Sequence, residues 1–436
     1  MTENNSPPDR PNGSGLSRRT FVYGAGIAGL AAATGIAQGQ QPENTNQQMN
    51  GVNSLQITGN SFELGGRRIV GEAGYKTIED AWNDADDGDT IYVHASYDAS
   101  KADESFPILL DYREKEVMLS GGHPSGSVID ATGSTNNIIE IIGRGSRDYR
   151  NNPVVQNLKL VGGQTGLRVA RAPFASFQNL IFYENGEHGS LIAAHPDNGT
   201  FGTNWYNCQA WNCGGHGFTM ETAAEAHGTT YFGCRATSNR GIGFRLRGFT
   251  CKIIGGTTQL NFNYGIEARS GKGSLVQGMY IEGNARGNDF PVELYANNAD
   301  GLSVNSCYFH GVNPRSVEHN HNWVQRGVNV HQTEQLSVRD CTVRRYGDGF
   351  IALFGCTDAD VHSSSHYFDS ADLFALDPNG RGNLRTRSDG MILPTNLSSV
   401  AGAHEFDQGI HKSSNGNTGL AIWYNGGWHS VAAQPL

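Results

Sequence analysis

No apolar run in this chain is long enough to cross a membrane as a helix. The most apolar stretch, from about Val22 to Ala37, is largely Gly and Ala and falls short of the roughly 20 strongly apolar residues that a span needs. Charge is sparse too. Asp, Glu, Lys and Arg make up 17% of the 436 residues, they form no acidic or basic block, and lysine is scarce beside arginine. The net charge of −10 excludes the basic face of an ordinary nucleic-acid binder. It is compatible with a salt-adapted surface without establishing one. Long heptad patterns are missing, so nothing points to a coiled coil. The seven cysteines, an odd number, make no disulfide framework.

What the chain has in quantity is glycine, 58 residues, together with conspicuous Asn. This is the profile of many short strands joined by tight turns. Near the N-terminus, "SRRTFVYGAGIAGLAAATG" (17–35) carries two patterns at once. Gly24-x-Gly26-x-x-Gly29 matches a dinucleotide-binding loop, which needs a strand before it and an acidic residue about 20 positions on. Residues 1–16 are polar and rich in Pro, Gly and Asn, and Glu43 stands alone in a region without strand pattern. Ser17-Arg18-Arg19-x-Phe21 ahead of the apolar stretch reads instead as a twin-arginine export signal. Cleavage falls before Gln40, behind the small residues Ala37 and Gly39; an uncleaved N-terminal anchor is the alternative. The twin-arginine translocase is then a partner, and the mature protein is extracellular or on the cell surface. That route carries folded proteins, so free thiols formed in a reducing cytoplasm are no obstacle.

Residues 75–93, "YKTIEDAWNDADDGDTIYV", read as an amphipathic helix (Ile78, Ala81, Trp82, Ala85), a glycine turn and a strand. From about residue 153 the chain is quasi-periodic. One recurring piece is a short strand entered through a small or polar residue, as in Asn157-Leu158, Asn179-Leu180, Asn207-Cys208, Gly233-Cys234, Gly278-Met279, Ser306-Cys307 and Asp340-Cys341. The other is glycine followed by alternation, at Gly166, Gly217, Gly243, Gly265 and Gly327, with Pro291 read in the same phase. The period is mostly about 22–28 residues, with one coil near 35, which is the range of solenoid units. A period near 24 built of short period-2 strands describes a right-handed parallel β-helix. These repeats, with the "TIEDAWNDADDGDTIYV" opening, resemble the pectin-lyase-like β-helix superfamily over roughly residues 70–370. The resemblance implies an all-β solenoid with an N-terminal capping helix and a small C-terminal β segment. It implies no single activity, because that superfamily holds lyases, hydrolases, epimerases, adhesins and viral spikes. Cys208, Cys234, Cys307 and Cys341 fall in the inward slot that Leu158, Leu180 and Met279 fill elsewhere, and read as small apolar ladder residues. A stacked Cys208–Cys234 disulfide or a metal role is the competing reading.

Inward residues make the core, so chemistry belongs to outward positions and loops. With Pro291 in the glycine phase, the outward pairs are Thr219/Glu221, Arg245/Arg247, Glu267/Arg269, Glu293/Tyr295 and Asn329/His331. Glu267 and Glu293 then lie on adjacent coils with carboxyls on the order of 5 Å apart, near the spacing of retaining glycosidases. Arg245 and Arg269 beside them suit a uronate carboxylate, bound bidentately, or a part in proton abstraction by a lyase. Glu267, Glu293, Arg245 and Arg269 are the catalytic candidates, and Arg247 and Tyr295 are substrate-binding candidates. The competing reading is ordinary cross-strand charge pairing. A second outward column holds Tyr183, Trp211, Thr237, Glu282, His310 and Arg344, with Tyr280 and Tyr308 two residues earlier in their coils. Tyr183, Trp211, Tyr280 and Tyr308 are candidates for stacking on sugar rings.

The longest insertion, between Cys307 and Val328, contains "SVEHNHNWVQRG". Trp323 there is a further substrate-binding candidate. His319 and His321, spaced His-x-His, are the one candidate site for a divalent metal; no other cofactor is expected. "GHG" at 215–217 resembles the Gly-His-Gly of β-helix polygalacturonases, but that family's paired aspartates are missing, as is the calcium-aspartate set of pectate lyases. His216 is therefore expected as a turn residue. The expected organisation is a signal peptide (1–39), a polar linker and first strand (40–69), the solenoid (70–370), and a linker with a capping β segment (371–436). In the last of these, "TGLAIWYNGGWHSV" reads as a hairpin turning at Asn425-Gly426. The function expected is binding, and as one option cleavage, of a polysaccharide or cell-surface glycan. The alternative is a non-catalytic adhesin or virus-spike-like rod, and an oligomer fits either.

Overall fold

The computed structural model describes residues 66–362 apart from 72–73, 146–151, 197–198, 288–291, 312–325, 345–349, 355 and 357–358, together with the backbone of short strands at 56–63 and from 365 onward. All described residues lie in one compact unit, 53–436. Three long sheets run along it, and each coil contributes one strand to each. In one coil these are Leu275–Gln277, Tyr280–Glu282 and Val292–Asn297. Each strand pairs in parallel with its counterparts one coil before and one coil after. This is the right-handed parallel β-helix that the repeat implies. The helix Ile78–Asp84 forms where expected: Thr77 caps it by accepting from the Asp80 N–H at 2.9 Å, and Ile78, Ala81 and Trp82 are buried.

The corner between the first and second strand of a coil explains why the second strand is entered through Asn, Gly, Ser or Asp. Asn179, Asn207, Ser306 and Asp340 have φ of 52–53°, and Gly233 and Gly278 have 62° and 64°. This left-handed region admits glycine freely and short polar residues more readily than others. One such residue turns the chain, and the next side chain points inward. Cys208, Cys234, Cys307 and Cys341 all occupy that inward slot, fully buried and unbridged. Cys208 and Cys234 lie beside the core stack Phe177–Trp205–Tyr231, whose ring centroids lie 4.2 and 5.9 Å apart, and Cys307 and Cys341 lie beside Val276 and Val304. The sheets also run on through Phe374–Leu376 and Leu384–Arg387, beyond the point near residue 370 where the periodicity fades. At the C-terminus, Thr418–Tyr424 and Gly427–Val431 pair antiparallel with Tyr424 opposite Gly427; the expected turn residues Asn425 and Gly426 lie outside the described residues.

A second, polar ladder lies inside the solenoid ahead of the third sheet. The Asn239 N–H and Nδ2 both donate to Asn261 Oδ1, at 3.1 and 2.9 Å. The Asn261 N–H and Nδ2 repeat this to Asn284 Oδ1, at 3.1 and 2.7 Å. Glycines open the neighbouring strands because this ladder leaves no room for a side chain. A Cβ on Gly243 would stand 2.4 Å from Thr258 Oγ1 and 2.9 Å from Asn261 Nδ2. In the coil of Asn284 itself the glycine position is filled by Glu293. Val292 faces Arg326 and Leu294 faces both Ile266 and Val328, so Glu293, not Pro291, is in the glycine phase. Its carboxylate stands in for the next asparagine, accepting from the Asn284 N–H at 3.1 Å and from Nδ2 at 2.6 Å.

Burial pushes the Glu293 carboxyl up to about 7, against the opposing pull of its bonds from Asn284. A folded-state pKa above the unfolded one gives stability that is complete below about 4.5 and is lost as pH rises through about 7. Glu293→Gln keeps an acceptor and removes the titration. The melting temperature of the variant relative to the wild type is therefore expected to climb by several degrees from pH 4.5 to pH 8, as measured by circular dichroism. A constant difference across that range would show that Glu293 does not titrate there.

Candidate functional site

The outward face of the third sheet carries the strongest charge cluster. Two strands, Phe244–Leu246 and Ile266–Arg269, stack in register with Arg245 opposite Glu267. Period-2 alternation turns Arg245, Arg247, Glu267 and Arg269 outward while Phe244, Leu246, Ile266 and Ala268 fill the core. Three guanidiniums close on the single Glu267 carboxylate. Arg245 Nε and Arg247 Nη2 donate to Oε2 at 3.0 and 2.8 Å, and Arg269 Nε lies 3.0 Å from Oε1 as an ion pair. The Glu267 side chain is only 4% exposed, whereas Arg245 and Arg269 are 33% and 38% exposed. Three cations against one anion leave two positive charges, and among the described residues no other carboxylate pairs with these arginines. Arg247, with 9% exposure, is pulled below the usual arginine range by burial, while Glu267 opposes the shift. Its Nε has no hydrogen-bond partner, and neither does the buried hydroxyl of Thr219, one coil before Arg245. Unfilled buried donors of this kind call for an explanation.

Aromatic rings continue the face on one side of the cluster. Tyr264 stacks on Tyr295 (4.9 Å), Tyr295 meets His331 (5.4 Å), and His331 stacks on Phe354 (4.5 Å). Arg269 reaches over the Tyr295 ring at 5.1 Å, a cation–π contact. On the other side, His188 and His216 stack with centroids 5.0 Å apart and planes within 5°. His216 Nε2 is 3.5 Å from Arg245 Nη1.

The structure brings one half of the sequence-based set together and separates the other. Arg245, Arg247, Glu267 and Arg269 do come together. Glu293 does not join them: it is wholly buried in the asparagine ladder, and the residue facing Glu267 on the next coil is Tyr295. The paired carboxylates of a retaining glycosidase are therefore not formed by Glu267 and Glu293. Tyr295 moves from the outer column into the Glu267 column. His216 precedes its strand as expected, but its ring belongs to the cluster. His188 was overlooked, although His-Gly recurs at 188–189 and 216–217 in the same phase of the repeat.

The other aromatic candidates sit on the second sheet. Tyr183 faces Trp211, with rings 5.3 Å apart, and Trp211 is 52% exposed. Tyr280 stacks on Tyr308 at 5.4 Å. Two coils, through Arg235–Thr237 and Thr257–Gln259, separate these pairs. Tyr280 donates to Glu282 Oε2 at 2.9 Å, and burial, then Glu282, pushes its phenol up to about 12. Trp323, His319 and His321 lie outside the described residues. Among the described residues no group of three or more His, Cys, Asp or Glu is arranged to hold a metal ion.

Fold and face together define a parallel β-helix with a cationic, ring-flanked patch on one sheet. A family model described as a right-handed β-helix region matches residues 197–366. No curated protein sequence matches the chain. Among solved structures, the A-module of a mannuronan C-5 epimerase from Azotobacter vinelandii is similar, with 13% identity and a TM-score of 0.45 over 70% of this chain and 91% of that one. An alginate lyase from a Paenibacillus species shows 13% identity and a TM-score of 0.40 over 71% and 98%. Tailspike protein 2 of bacteriophage CBA120 shows 11% identity and a TM-score of 0.43 over 71% and 47%.

Glu267→Gln leaves three guanidiniums facing one another around a neutral amide. The expected cost is about 3 kcal/mol of stability, read from the denaturant midpoint. Added sulfate should restore part of the loss by taking the place of the carboxylate. A variant as stable as the wild type would mean that Glu267 does not hold the cluster together.

Proposed function

We propose that this protein is exported by the twin-arginine route and binds an anionic polysaccharide, a polyuronate by class, on the outward face of its third sheet. The export half rests on Ser17-Arg18-Arg19-x-Phe21 and the Gly/Ala stretch behind it. The binding half rests on one observation: three guanidiniums share one carboxylate beside a column of rings. Glu267 fixes the orientation of the guanidinium planes, so less side-chain freedom is lost when a ligand arrives. The N–H groups that Glu267 does not use on the part-exposed Arg245 and Arg269 suit a planar carboxylate. Tyr295, His331 and Phe354 stack on their neighbours along the column, so they line the face with ring edges against which a pyranose can pack. Stacked coils place such groups about 4.8 Å apart along the solenoid, so the face suits an extended polymer. Glu267 acts here as a positioning group, since three cations already surround it. That makes binding, not hydrolysis, the function the geometry favours.

Binding of polygalacturonate to the purified protein is expected to weaken about tenfold in Arg245→Ala and likewise in Arg269→Ala, and to fall with added salt. Isothermal calorimetry with neutral dextran as control reads this directly. Equal affinity for the neutral and acidic polymers, or no loss in either variant, would refute the reading.

A further inference from the structure

The two histidines beside the arginines have their tautomers set by the backbone. The His216 N–H donates to His188 Nδ1 at 3.1 Å, and the Ile242 N–H donates to His216 Nδ1 at 2.9 Å. A backbone N–H can only donate, so each Nδ1 must be an unprotonated acceptor. Each neutral ring then carries its proton on Nε2. This changes the meaning of the 3.5 Å contact between His216 Nε2 and Arg245 Nη1. Both atoms are donors, and neither can satisfy the other. No described residue accepts from His188 Nε2, and both histidines are half-buried. The rings are nearly parallel and each turns Nδ1 to a backbone N–H of the next coil, so both Nε2–H groups point the same way. Arg247 Nε and the Thr219 hydroxyl add buried, unpartnered polar atoms to the same neighbourhood.

From this geometry we infer that His188, His216 and Arg245 form a carboxylate-receiving notch, with two parallel neutral imidazole N–H donors and one guanidinium facing carboxylate oxygens that the protein itself does not supply. This rests on the polyuronate reading and gives it a residue-level contact, the uronate carboxylate. It also separates the notch from an ordinary histidine site, which gains cationic character as pH falls. Protonation of either ring would place a second N–H against a backbone N–H. The surroundings add to that barrier: burial, His188, Arg245 and Arg247 hold His216 down at about 3. Burial and Arg245 lower His188, with Glu187 and Glu221 opposing. The backbone N–H that faces each Nδ1 is therefore expected to keep both rings as neutral donors from pH 8 down to 5.5.

Protein labelled with ¹⁵N-histidine reports the tautomers in a two-bond ¹H–¹⁵N spectrum, the signals being assigned by their loss in His188→Phe and His216→Phe. Both rings are expected as neutral Nε2–H forms at pH 8 and at pH 5.5. Acetate, as a bare carboxylate, and a galacturonate oligomer should each shift both Nε2 resonances. His216→Phe keeps the ring stack and should bind the oligomer at least about tenfold more weakly. An Nδ1–H tautomer, an imidazolium by pH 5.5, or Nε2 signals unmoved by acetate would overturn the notch, each being read in the wild-type protein once the two signals are assigned. If acetate moves the signals and the oligomer does not bind, the notch stands and the polyuronate reading falls.

Discussion

Everything in this molecule depends on coils stacking in register through parallel backbone hydrogen bonds. That constraint converts a linear repeat into columns. A residue every 22 to 28 positions becomes the neighbour of its counterpart, so a weak periodic preference in the sequence becomes a continuous ladder of like side chains. Inside, the ladders are apolar stacks, buried thiols and one chain of asparagines. Outside, they are rows of charges and rings whose spacing is set by the backbone.

The asparagine ladder and the cationic patch share the strands that open the third sheet. Glycine is required where those strands pass the ladder, because a side chain at Gly243 would run into Asn261 and Thr258. The residue just before such a glycine is thereby held at the strand edge, and that is where His216 and Tyr264 stand. The next outward position carries Arg245 and Glu267. A polar core device thus sets the geometry of a surface site. Glu293 lies at the end of the device, giving the last asparagine an acceptor at the cost of a buried, high-pKa carboxyl.

The fold was legible because its signals repeat. Left-handed corners demand Gly, Asn, Ser or Asp, and the slot after them demands a small or apolar residue. Seven occurrences of that pair outweigh any local ambiguity, and "GGTTQL", unclear alone, falls into line through Gly255 and Gly256, whose φ values are 67° and 92°. The site was legible only in part. Arg-x-Arg and Glu-x-Arg on alternating strands announce outward charge, and stacking brings them together. Glu293 was misplaced because Pro291-Val-Glu-Leu imitates the glycine-led alternation two residues early. A glutamate occupying a glycine position has no signature in the strand itself, since its reason lies in Asn284, which ends the asparagine ladder before that strand begins. The ladder asparagines escaped notice because single asparagines between strands look like ordinary turn residues. His188 and His216 gain meaning only from the backbone N–H groups that reach them from the next coil.

The most direct test of the account is a crystal structure of the protein with a galacturonate oligomer. The account predicts the chain lying along the third sheet, its carboxylates within hydrogen-bond distance of Arg245 and Arg269 and a sugar ring against Tyr295. An oligomer seated instead on the second sheet, around Trp211 or Tyr280, would contradict it.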